Sequence, residues 1–185
     1  MSAPLPGDAL QVAVQGDRAF IRVIGRGSFK NSPALKEFSI SAIDGGCRRL
    51  ILDMAQCIGM DSTFMGVLAG LAFRLGRPLD GRIILVNLNE RTRGLLATLG
   101  LDEAVEAHLA GDMPADLQPL LAAPASALTD LPSGAPSQLT TAETMLEAHE
   151  NLVELSAENL PKFKDVLMFL RDDIRKGGGA APKPR

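Results

Sequence analysis

The spacing of apolar and polar residues changes several times along the chain, and each change marks an element. Leu10, Val12 and Val14 alternate with other residues, residues 15–18 offer a turn, and residues 19–24 form a second apolar run, which predicts a β-hairpin. The spacing then lengthens. Leu35, Phe38, Ala42 and Ile43 recur at helical steps behind Ser32 as cap and Pro33 as first helical residue, and Gly45-Gly46 ends that helix. Between the two runs, Gly25-Arg26-Gly27-Ser28 reads as a turn, since the lysine of a phosphate-binding loop is missing. Leu50 to Met54 is an unbroken apolar run, placed as a central strand at about 49–54. A short loop should follow. From Phe64 the apolar positions Val67, Leu68, Leu71, Ala72 and Leu75 return at three- and four-residue steps, one buried face of a helix that starts near Asp61 or Ser62. Gly66 and Gly70 share one side of this helix and predict a close approach to the sheet. After a loop over 76–81, residues 83–86 read as a buried strand, Asn89 caps a helix over 90–99, and Gly100 closes it. Residues 101–109 suit a short helix and a last strand equally well.

Strands alternating with helices imply an α/β fold: a small, mostly parallel or mixed sheet flanked by helices, with the opening hairpin at its edge. The pattern breaks near residue 110. Residues 111–138 hold five of the chain's twelve prolines among many alanines and serines, the composition of a linker without regular structure. A helical extension then spans 139–176. Thr140 and Glu143 have capping-box spacing, and Leu146, Val153, Leu160, Leu167 and Ile174 repeat every seven residues. Phe163 and Leu170 fill the second heptad position, where His149 and Ser156 stand earlier. Pro161 must kink or split the helix, giving one bent element or two, near 141–158 and 161–176. This seam fits an arm folded back on its own domain, and equally a helix for a homodimer or another partner. The organisation expected is a domain over 1–110, a linker over 111–138, the extension over 139–176 and a disordered tail over 177–185; the first seven residues read as a loose end.

Composition narrows the function. The 185 residues carry 19 basic and 22 acidic side chains, a net charge of −3, with neither Trp nor Tyr and only seven Phe. That argues against nucleic-acid binding through a basic groove with stacking rings. Cys47 and Cys57 are too few for a disulfide framework, lie on either side of an extended strand, and read as free thiols in a reducing compartment. No basic-then-apolar leader and no apolar run of about 20 residues is evident, so a cytoplasmic protein without membrane insertion is expected. His108 and His149, the only histidines, lack ligand-spaced companions, so neither a metal nor any other cofactor is expected.

Asp61 and Ser62 carry the candidate chemistry. Both are residue types that cap helix starts. The same place suits a phosphoserine, because a helix N-terminus tolerates added negative charge. A phosphate would bring about −1.5 to −2 charges next to Asp61 and Asp53 and concentrate negative charge on one exposed loop. No nucleophile elbow or ordered Ser-His-Asp set accompanies it, which points away from an enzyme.

Leu50-Ile51-Leu52-Asp53, then Met60-Asp61-Ser62-Thr63-Phe64-Met65-Gly66 and an apolar helix, resemble the signature of STAS domains of the anti-sigma factor antagonist group. Downstream, residues 82–87 and then Arg93-Gly94-Leu95-Leu96-Ala97-Thr98-Leu99-Gly100-Leu101-Asp102 are similar to that family's strand, short helix and Gly-Leu-Asp ending. Phe64 departs from it, standing where the family usually has glycine and placing a ring beside the acceptor position. The resemblance implies a sheet with about four helices and a role in partner switching. The unmodified loop would dock on a serine kinase that doubles as an anti-sigma factor; phosphorylation of Ser62 would end the docking and a serine phosphatase would restore it. Asp53, Asp61, Ser62, Thr63 and Phe64 would then form the partner-binding loop, with Thr63 as reserve acceptor. The alternative is a non-switching STAS scaffold subunit of a larger signalling assembly or of a lipid-transport ATPase complex, which Phe64 favours.

Overall fold

A computed structural model describes residues 7–121, 127–132 and 134–177. The expectations for the first six residues and for 178–185 lie outside the described residues. Strands β1 (Ala9–Gln15) and β2 (Arg18–Gly27) form the antiparallel hairpin, with Gly16 at φ +61° in its turn. Strands β3 (Arg49–Met60), β4 (Arg82–Leu88) and β5 (Glu106–Leu109) extend from β2 in parallel. The order across the sheet is β5-β4-β3-β2-β1-β6. The hairpin is therefore not the edge. That place belongs to β6 (Thr129–Asp130), a two-residue strand that the linker lays antiparallel on β1. Elsewhere in the linker a 3₁₀ turn forms at Gln118–Leu121.

Two segments expected to be loops are strand. β2 continues through Gly25-Arg26-Gly27, and β3 continues past Met54 to Met60, with register shifts between Arg22 and Ile24 and between Gly25 and Arg26. The glycines that read as a turn belong to a longer parallel pair, in which each register shift places one extra residue in β3, absorbed by a local kink. Cys57 consequently sits inside β3 rather than beyond its end; it and Cys47 are buried and free.

Helices α1 (Ser32–Asp44), α2 (Ser62–Leu75) and α3 (Glu90–Thr98) pack with Leu50, Leu52, Met54, Ile83 and Leu85 into the main core. On the opposite face of the sheet Phe20, Ile51, Ile84 and Val86 meet Leu117. This two-face alternation is the period-two geometry of a strand buried on both sides. Asn31, not Ser32, flanks α1; the Ser32 hydroxyl donates instead to the Ser28 carbonyl at 2.7 Å. Asn89 caps α3 through a capping box with Thr92. Residues 101–109 contain both expected elements, a 3₁₀ turn at Leu101–Glu103 and then β5.

The extension is two helices, α4 (Gln138–Leu155) and α5 (Leu160–Arg175), joined by a 3₁₀ turn at Ala157–Asn159. Ser137 rather than Thr140 caps α4, its Oγ accepting from the Thr140 N–H at 3.0 Å. Pro161 falls in the first turn of α5, where its missing N–H breaks no helical bond. Of the two readings left open by the heptad pattern, the chain adopts the folded-back arm: α4 lies along α2. The buried face of α4 is Ala142, Thr144, Ala148, His149 and Leu152, so that of the predicted seam only His149 is buried there while Leu146 and Val153 are half-buried; in α5 the seam residues Leu167 and Leu170 are buried, and Leu160 is 48% exposed. The reason lies in α2. Gly66 and Gly70 face α4 rather than the sheet, and a methyl group on Gly66 would stand 2.2 Å from the Ala148 carbonyl oxygen. Two helices this close leave no room for large seam residues between them.

Candidate functional site

The end of β3 and the start of α2 meet at Asp61, whose extended backbone (φ −92°, ψ 173°) turns the chain from strand to helix. Its carboxylate is fully engaged. One oxygen accepts from the Phe64 N–H at 2.9 Å, capping α2, and the other accepts from the Phe29 N–H at 2.7 Å, tying the segment after β2 to the same point. Asp61 therefore orders the loop. Replacing it with alanine removes both bonds and should lower stability by about 1–2 kcal/mol. Asp61→Asn, with one acceptor oxygen left, should fall between the two; urea denaturation measures both.

Ser62 is the first residue of α2 and is half-buried. Its Oγ lies 3.0 Å from Nε2 of His149, on α4. The other ring nitrogen, Nδ1, lies 2.6 Å from the Met145 carbonyl oxygen. A carbonyl can only accept, so Nδ1 carries the proton; in the neutral ring Nε2 is then the acceptor, and the Ser62 hydroxyl donates to it. The ring is packed edge-on against Phe163 of α5, with centroids 4.9 Å apart. Burial pushes the imidazole below its ordinary value of 6.5, against the Met145 carbonyl and the Asp61 charge, which both favour the cation. A histidine held neutral in the fold is protonated first in the unfolded chain. Its contribution is thus complete above pH 6.5 and is lost as pH falls below that value. Stability measured by urea unfolding should accordingly decline below about pH 6.5, and decline less in His149→Gln.

The other expected members divide. Thr63 is adjacent but buried, 3% exposed, so its hydroxyl is not available at the surface. Phe64 is wholly buried in the main core beside Gly27. Two residues along a helix turn about 200°, so the ring points inward and does not stand beside the Ser62 hydroxyl. Asp53 does not join the loop at all. It lies within β3, on the order of 20 Å from Asp61 along the extended strand. There it accepts from the Arg22 guanidinium at 3.3 Å and the Asn87 amide at 2.9 Å. This trio borders a separate cleft of about 300 Å³ floored by Phe20, Ile51 and Val86. Among the described residues, no group of three His, Cys, Asp or Glu side chains could hold a metal ion.

His149 was legible as a polar residue at a heptad core position, but nothing in the sequence says that its partner is Ser62, 87 residues away. Asn159 was missed altogether. It is buried, and its amide donates to the Leu99 carbonyl at 3.0 Å and the Leu152 carbonyl at 2.8 Å, fastening the turn of the arm to the end of α3.

The family model described as STAS domain matches residues 9–112. A putative anti-sigma factor antagonist from Thermotoga maritima has the same fold, with a TM-score of 0.51 at 17% identity over 60% of this chain and 92% of that one. Bacillus SpoIIAA, an anti-sigma factor antagonist solved in its unphosphorylated form, gives a TM-score of 0.48 at 23% identity over 54% of this chain and 87% of that one. An anti-sigma factor antagonist from Mycobacterium paratuberculosis gives 0.48 at 20% identity, covering 58% and 90%. No curated protein matches the chain. No helix among the described residues is long and apolar enough to cross a membrane.

Proposed function

This chain belongs to the STAS domain family, and we propose that it is a regulatory binding protein of the anti-sigma factor antagonist kind, switched by phosphorylation of Ser62. The supporting observation is the placement of that hydroxyl: half-buried at the first residue of α2, where strand hands over to helix, with Asp61 holding the backbone beneath it. The partner is a serine kinase that also acts as an anti-sigma factor. In its active site Ser62 Oγ attacks the γ-phosphorus of ATP; the Oγ–P bond forms, the bond to ADP breaks, and the hydroxyl proton passes to a base of the kinase. A serine phosphatase reverses the change by hydrolysis, releasing inorganic phosphate. The added dianion beside Asp61 repels an acidic partner surface and raises the cost of desolvating the loop. The chain itself binds and is modified; it catalyses nothing, and it works in the cytoplasm.

A second reading has its own support. The α4 arm lies over Ser62, which suits a scaffold that docks constitutively in a signalling assembly or a lipid-transport ATPase complex. Pull-downs from native-cell extract with two baits, Ser62→Ala and the chain with phosphoserine encoded at position 62, separate the readings. The switch predicts a serine kinase on the first bait and its loss on the second. An identical set of partners on both baits favours the scaffold.

A further inference from the structure

The helical arm occupies the surface that the switch needs. Ser62 is hydrogen-bonded to His149, one turn on Gly66 receives Ala148, and one turn further Gly70 faces Asn151, whose amide donates to the Gly66 carbonyl at 3.3 Å. We propose that α4 and α5 form an autoinhibitory cover: the arm holds in cis the α2 face that a partner occupies in trans, and a phosphate on Ser62 is incompatible with the closed arm. The inference rests on the reading of Ser62 as the modified residue.

Three features carry it. The first is space. At Gly66 the backbones of α2 and α4 already approach so closely that a single added carbon would meet the Ala148 carbonyl oxygen at 2.2 Å. A phosphoryl group one turn away brings three oxygens into the same seam. The second is hydrogen bonding. The His149 Nδ1 proton is committed to Met145, so Nε2 offers a lone pair, and the ester oxygen of a phosphoserine has no proton to donate to it. Two acceptors would face each other in a seam where His149 is 3% exposed. The third is how the arm is held. Ala148 and Leu152 are buried in the main core, and besides the Ser62 bond the polar ties of the arm are the Lys36–Glu147 ion pair, Asn151 on the Gly66 carbonyl, and Asn159 and Lys162 on the end of α3; the arm rests on helices, chiefly α2, rather than on the strands. An element fastened in this way can lift as a unit while the sheet stays intact.

The cover gives each state of Ser62 a structure. With the hydroxyl free the arm closes and partner docking must displace it. With the phosphate present the arm stays open, and the exposed dianion now opposes docking on its own account. A kinase reaches Ser62 only through the open form, so arm opening sets the rate of modification.

Hydrogen exchange read by mass spectrometry on three full-length chains tests this: wild type, Gly66→Ala, and phosphoserine encoded at position 62. Alanine is a better helix former than glycine, so Gly66→Ala blocks the seat without weakening α2. In both altered chains, exchange across α4 and α5 should rise by about tenfold or more, while β3 and β4 keep wild-type protection. An arm still protected above phosphoserine overturns the cover. So does an arm still protected in Gly66→Ala. If Gly66→Ala also loses protection in β3 and β4, Ala148→Leu decides, because its added bulk sits on the arm: an exposed arm over a protected sheet upholds the cover and a protected arm overturns it. Encoded phosphoserine requires no kinase. Hence an arm that opens in these chains, together with unmodified Ser62 in native cells, overturns the switch and leaves the cover standing. Native phosphate beneath a protected arm does the reverse.

Discussion

Phe64→Ala will destabilise the fold by about 3–5 kcal/mol, measured by urea unfolding. The ring is wholly buried in the main core. It also lies directly over Gly27, where a methyl group would come within 2.7 Å of its carbons. Removing the ring costs its transfer free energy and leaves a cavity at the point where β2 ends and α2 begins, which the surrounding backbone cannot close. The same contact makes a second, sharper statement. Gly27→Ala alone should destabilise through a clash with the ring, whereas in the Phe64→Ala background the new methyl enters the cavity. The double variant should therefore be more stable than the sum of the single losses predicts. Strict additivity would mean that the two residues do not touch. The effect on function follows from position: Phe64 anchors the first turn of α2, so its loss should loosen Ser62 as well as the core.

Asn159→Ala is the second large loss, about 2–3 kcal/mol. One amide nitrogen satisfies two carbonyls, those of Leu99 and Leu152, at a site where the side chain is 1% exposed. Alanine takes the donor from the Leu99 carbonyl and leaves the Leu152 carbonyl with the Ser156 N–H alone. The damage should be directional. Exchange should rise in the turn between α4 and α5 and at the end of α3, while β2, β3 and β4 remain protected. Lys162 also spans this junction, donating to the Thr98 carbonyl at 2.8 Å, and its exposed bond is a weaker tie than the buried one.

Elements with a strong period were readable from the sequence. The hairpin, α2, β4, the Asn89 cap and the two-helix extension all follow from local spacing and capping chemistry. So did the family, because Leu50 to Asp53 and Met60 to Gly66 keep its order. What failed depended on neighbours far along the chain. The glycines of 25–27 look like a turn until β3 is known to run beside them. Asp53 looks like a companion of Asp61 until the intervening residues are known to be strand, with Arg22 and Asn87 as its true partners. Gly66 and Gly70 declare a close approach but not to what, and in α4 the seven-residue seam yielded to a neighbouring face on which Ala148 fits against Gly66, whereas Leu167 and Leu170 of the seam are buried in α5. Capping by Asp61 was local and legible; its bond to Phe29 and the Ser62–His149 bond each join segments that no local pattern connects.

Function in this reading turns on the chemical state of one side chain. Ser62 either donates its proton to His149 beneath a closed arm or carries a phosphate that the closed arm has no place for. Asp61 fixes the backbone in both states, and Thr63 and Phe64 face inward and hold α2 in place. The most direct test is tandem mass spectrometry of the protein isolated from its native cells through growth and stress. Phosphate should be found on Ser62 in part of the population, with its proportion changing between conditions. Ser62 unmodified throughout, or phosphate confined to other residues, would contradict the switch.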